Sequence, residues 1–319
     1  MLEAELDIFS GMPNPTWYLS QEQERTLYEM LDADPGQVAR VTTSASRLGL
    51  GYRGVIVRRV KTDDAMWDRA VSARATPFPA EFRLGVRAAR GQLAADWLVT
   101  TADAQGARLA DELREVVASG VSLVPQTRGR ADPGATIDPE RIPDADVAAA
   151  APYELTAEEH ETWWACGSNY LSPNISFFND PAHVTRNNCY CFASNHLADV
   201  RYALPGKRGG RPATVMSCGN VIAGLRADGW KDGCEPNALT IVMVIWPGND
   251  YHFYRLVTGG PYWWWGHKPG GTPARYTDDC GHSIFQYQGK GYAPNNICRG
   301  GYSDFCGYFY QDNWTAFVA

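Results

Sequence analysis

Residues 3–9 alternate apolar and polar positions, as a half-buried strand does, and SGMPNP at 10–15 supplies the proline, glycine and asparagine of a loop. Ser20 followed by Gln23 is a capping-box signal that opens a helix over 21–32. Residues 52–60 and 82–88 read as strands. The apolar spacing over 103–118 predicts a helix that stops at Ser119-Gly120. Further along, 189–202 and 216–227 carry helical spacing, the second ending at Asp228-Gly229. Strands follow at 239–246, 251–258 and 262–267, with shorter ones within 283–287 and 307–310. The pattern is that of an α+β protein: a small α+β N-terminal domain, then a helix followed by an antiparallel sheet.

Composition divides the chain in the same place. All eight cysteines and all six histidines lie beyond residue 150, with eight of the eleven tryptophans. The expected organisation is an accessory or recognition domain over 1–124, a linker over 125–152 with five prolines, and an aromatic-rich domain over 153–319. The first domain gathers no titratable cluster of the kind a catalytic site needs, so its expected role is recognition, docking or inhibition, through which a partner protein could bind. A net charge of −7 gives no footprint for nucleic acid or an anionic membrane. No apolar run approaches the ~20 residues of a membrane-spanning helix. The N-terminus lacks a basic stretch before an apolar core, so a cytoplasmic location is expected, with export by a non-classical route left open. Reduced thiols are then the default.

The candidate chemistry starts at RNNCYCFA, residues 186–193. A thiol nucleophile needs a base to make the thiolate and a third group to orient that base. Cys189 falls in the first turn of a helix that Asn187 or Asn188 can cap, and Asn188 could donate to an oxyanion. His252, opening a strand after a tight turn, is the candidate base. His267, at the end of the next strand, is the candidate orienter. Cys191 points about 200° away from Cys189 on a helix, and His196, seven positions on, lies ~10 Å along it. Two other readings use the same residues. Cys189-x-Cys191 and Cys280-x-His282 are possible zinc-ligand pairs, although no CxxC spacing exists. Eight cysteines also suit two to four disulfides. Of the WWW run at 263–265, Trp263 and Trp265 share one strand face and Trp264 takes the other, so one face could line a groove. Lys207, Arg208 and Arg211 form a basic loop that could steer an acidic substrate.

The order helix-Cys, strand-His, next-strand-polar resembles the papain-like superfamily, and most of all its compact NlpC/P60 and CHAP members. The strings NNCY, DYHFYR and HKPGGT also resemble those of an uncharacterised bacterial group. The resemblance implies a papain-like cysteine peptidase or amidase acting on a peptide or amide-bearing substrate, with no cofactor and no metal. Cys189 would be the nucleophile, His252 the base and His267 the orienter. The alternatives are a non-catalytic module binding peptide or glycan in an aromatic groove, and a zinc- or disulfide-stapled structural protein.

Overall fold

The computed structural model describes residues 1–41, 50–60, 78–86, 93–104, 109, 113–114, 117, 170–172, 175–235, 237–258, 262–287, 290–291 and 293–319. The class is α+β. The chain forms two units: Met1–Ile8 with Asn14–Thr127, and Phe9–Pro13 with Arg128–Ala319. The expected linker over 125–152 lies outside the described residues.

In the first unit, β1 (Leu2–Leu6), β2 (Thr16–Tyr18), β3 (Val55–Arg59) and β4 (Glu81–Leu84) form an antiparallel sheet in the order β2-β1-β3-β4. Helix α1 (Gln21–Ala33) opens with the capping box read from sequence: Ser20 accepts from the Gln23 amide, and Gln23 accepts from the Ser20 amide. Helix α2 spans Leu93–Ala104, a helix that the apolar spacing did not single out; of the 103–118 expectation, residues 113, 114 and 117 are helical, 109 is not, and most of the rest lies outside the described residues. The unit holds a charge cluster that sequence spacing did not reveal. Asp7 is buried between Arg53, whose Nη2 is 2.8 Å away, and Arg83, whose Nη1 is 2.5 Å away. The two guanidiniums overcome the cost of burial and hold the Asp7 carboxyl below the usual carboxylate range. Arg53 also donates to the carbonyls of Ile8 and Gly51, and Arg83 to those of Val41 and Arg53, so the cluster ties loops to the sheet.

The second unit is built on a six-stranded antiparallel sheet, β10-β5-β6-β7-β8-β9. Its strands are β5 (Ala238–Trp246), β6 (Asp250–Leu256), β7 (Tyr262–His267), β8 (Phe285–Tyr287), β9 (Lys290–Gly291) and β10 (Asp304–Asp312). Strand β5 is buried at all nine positions, which is why it reads as an unbroken apolar run rather than an alternation. Among the described residues three helices accompany the sheet: α3 (Ser176–Asn179), α4 (Cys189–Ala193) and α5 (Cys218–Ala227). Helix α4 ends far short of residue 202. Asn195 and Asp199 adopt left-handed backbone, with φ of 50° and 53°, which no right-handed helix can continue through. Asn195 is held there by bonds on both sides, to Asn313 Oδ1 and from Arg255 Nη1.

Strand pleating sorts β6 into two layers. Tyr251, Phe253 and Arg255 face α4: the Phe253 ring lies 5.3 Å from Tyr190, and the Arg255 guanidinium 4.4 Å above Phe192. His252 and Tyr254 turn to the other layer, where they meet His267 and, for His252, Tyr302. Trp263 and Trp265 alternate with Trp264 as expected, but all three are buried, so neither face lines an open groove. Gly266 faces α4 because a Cβ there would come within 3.0 Å of the Phe192 ring.

Candidate functional site

Helix α4 is positioned by its cap. Asn188 Oδ1 accepts from the amides of Tyr190 and Cys191, satisfying two free donors of the first turn. Its amide nitrogen is committed as well, to Ala203 O at 2.8 Å, with Gly11 O and Tyr251 Oη at 3.3 Å. The donor expected for an oxyanion is therefore spent on holding the fold. Lys268 secures the segment before the helix. Its fully buried ammonium donates to the carbonyls of Val184, Asn187 and Gly270 at 2.6, 2.6 and 2.8 Å.

Cys189 is fully buried. Its thiol reaches the Tyr251 carbonyl at 3.8 Å, and the Phe253 amide faces the sulfur. Burial, with the Asp250 carboxyl nearby, pushes the thiol well above its ordinary value, so it is protonated. This is the opposite of an activated nucleophile. Cys191 is also buried, pushed up to about 11, and donates to Val200 O.

His252 and His267 are brought together, Nε2 to Nδ1 at 2.8 Å. His267 Nε2 faces the Thr277 carbonyl at 2.8 Å and must carry its hydrogen, leaving Nδ1 to accept from His252. Arg275 Nε, 3.1 Å from the same nitrogen, sets donor against donor and adds no bond. Burial and the Arg275 charge hold His267 well below its ordinary value, and it is neutral. This is the base–orienter contact that the spacing suggested. The contact expected between base and nucleophile is missing: among the described residues no hydrogen bond joins the Cys189 sulfur to either imidazole.

Asp250, a residue the sequence did not single out, is the hub of this end of the sheet. Its carboxylate accepts from the amides of Ser10, Gly11 and Met12 and from Tyr302 Oη. Burial raises it to about 6 against the pull of those donors. Only its place in a tight turn before a strand hinted at such a role. Asp228 does the same for the basic loop, accepting from Gly206 N, Gly209 N and Tyr190 Oη. A cavity of about 390 Å³ lies beside that loop, lined by Arg208, Asp228, Lys231, Glu235 and Gln311 among others, and by none of Asn188, Cys189, His252 and His267. His196 is not on α4; it packs on Phe317 and accepts from the Val318 amide.

Cys189 and Cys191 are free thiols, but other cysteines are bridged. Cys218 pairs with Cys306 and Cys280 with Cys298, and Cys234 is in a disulfide too, whereas the cytoplasmic expectation had reduced thiols as its default; such bridges persist in oxidising surroundings. Among the described residues no helix is long and apolar enough to cross a membrane.

No family model matches the chain, and no solved structure matches it. A curated protein does: insoluble matrix shell protein 1 of Ruditapes philippinarum, 41% identical over 146 residues, which make up 45% of this chain and 89% of that protein.

Proposed function

The chain belongs to the family of that shell matrix protein, and from this premise we propose that it is a non-catalytic, disulfide-stapled structural protein of an insoluble matrix, working outside the reducing cytosol. One observation carries the reading. The polar residues of the three motif strings, Asn187 and Asn188, Asp250, His252 and Arg255, and His267 and Lys268, are all buried. Asn187 donates to His183 O and Asp199 Oδ1, and the bonds described above engage each of the others in joining loop to helix and strand to strand. Residues kept for chemistry would instead present a reactive atom to a cleft. Here the motif is an internal frame for an aromatic layer, and the disulfides lock its periphery. The resemblance to papain-like enzymes then stops at the order of elements.

The His252–His267 bond is what favours the rival thiol-hydrolase reading, and the thiol itself decides between the two. In the native, oxidised chain, Cys189 should resist iodoacetamide at pH 6–7 and react only in denaturant. Rapid alkylation of Cys189 in the folded protein would overturn the structural reading. Fractionation of the producing organism tests the location. The chain should be recovered from the insoluble extracellular fraction with its disulfides formed, and recovery from the cytosol as free thiols would count against the proposal.

A further inference from the structure

Cys280, His282 and Cys298 place their two sulfurs and a ring nitrogen within 4.8 Å of one another. A single carboxylate organises all three. Asp278, with its side chain fully buried, accepts from the amides of Cys280 and His282 at 3.0 and 2.8 Å through Oδ1, and from the Cys298 amide at 3.1 Å through Oδ2. Backbone bonds from Asp278 N to His282 O and from Asp279 N to Cys298 O close the same loop. The convergence of the three side chains is thus held by main-chain bonds to Asp278, independently of the sulfur–sulfur bond. His282 Nδ1 lies 3.6 Å from Asp278 Oδ2 while the ring is half exposed. The buried carboxylate is close enough to attract a cation to this cluster, though too far for a hydrogen bond to the ring.

We propose that these residues form a redox-gated metal site: a disulfide when oxidised, and a Cys280–His282–Cys298 centre for a zinc-like divalent cation when reduced. A dithiol donor would supply two electrons and two protons, breaking the sulfur–sulfur bond and becoming a disulfide itself. The two thiols then lose their protons as two metal–sulfur bonds form, with solvent in the fourth position. A chain not yet oxidised would carry the metal; exchange with a disulfide oxidant, which takes the two electrons and leaves as a dithiol, would form the sulfur–sulfur bond, release the cation and close the staple. The site stands apart from the matrix role proposed above and survives if that role fails.

Anaerobic titration of the phosphine-reduced full chain with Co²⁺ tests it. We expect one equivalent to give thiolate-to-cobalt charge-transfer absorption together with the visible bands of a tetrahedral ion. The signal should persist in a Cys218→Ala, Cys306→Ala chain. It should be lost in Cys280→Ser and His282→Ala, and Asp278→Asn should weaken binding on the order of 10- to 100-fold. The Cys298→His variant keeps the test decisive if full reduction disturbs the fold, because it presents three ligands with the other disulfides intact and should bind Co²⁺ without reductant. Absence of the charge-transfer band in both the reduced chain and Cys298→His, or a band indifferent to Cys280→Ser and His282→Ala, would overturn the site.

Discussion

His252 lies 2.8 Å from His267, Nε2 to Nδ1, in the layer of the sheet turned away from α4, while Cys189 rests on the backbone of Tyr251, one residue earlier. A single step along β6 separates the sulfur's neighbour from the imidazole, and the pleat sends their side chains in opposite directions. The three groups that look like a triad in the sequence are divided between two buried layers. Each then has a packing role, and four measurements test the account of what holds this fold together.

Lys268 spends its ammonium on three carbonyls that lead into α4. Replacing it with methionine leaves those carbonyls buried and short of a donor. Lys268→Met should destabilise the second unit by about 3–5 kcal/mol, read as a lower urea midpoint. A change below ~1 kcal/mol would mean that water replaces the ammonium without cost.

His267 is neutral in the folded chain because its value lies well below the ordinary 6.5. The folded state therefore binds fewer protons than the unfolded state in acid. Its contribution to stability is complete above pH ~6.5 and declines as the pH falls below that, by up to ~1.4 kcal/mol per pH unit. Urea unfolding between pH 7.5 and 5 should show this slope in the wild type and a flatter one in His267→Gln. Equal slopes in the two proteins would remove His267 as the cause.

Asp7 neutralises two buried guanidiniums, so Asp7→Asn leaves Arg53 and Arg83 without their charge partner. The cost should be about 3–5 kcal/mol in the first unit. Since the folded-state value of Asp7 lies below the ordinary 3.8, its contribution is present above that pH and lost as the medium becomes more acid. Acid unfolding of the wild type should therefore be cooperative with Asp7 protonation, and Asp7→Asn should lack that component.

The two described disulfides close loops of unequal length, with sequence separations of 88 for Cys218–Cys306 and 18 for Cys280–Cys298. Loop-closure entropy makes removal of the first more costly by about 1.4 kcal/mol. Paired alanine substitutions at each bridge, compared by thermal midpoint, should rank in that order. The reverse order would show that native contacts around Cys280, rather than chain entropy, dominate.

Much of the local structure was legible in the chain. The Ser20–Gln23 box opens α1 because its two reciprocal bonds lie within four residues, and β7 and the alternation of Trp263, Trp264 and Trp265 follow from a two-residue period. The length of α4 was not legible. Apolar spacing runs past Ala193, but Asn195 is drawn into left-handed backbone by partners at Arg255 and Asn313, far along the chain. Asp7 was also hidden, because its partners stand 46 and 76 positions away.

The candidate site divides along the same line. Sequence alone determined that a cysteine would open a capped helix and that His252 and His267 would sit on successive strands, since capping and strand period are local properties. Pairing of Tyr254 with His267 then set the two imidazoles side by side. Which layer the helix would cover, and whether each thiol would be free or bridged, was decided only in three dimensions. Those outcomes depend on contacts between residues distant in the chain, about which local spacing carries no information.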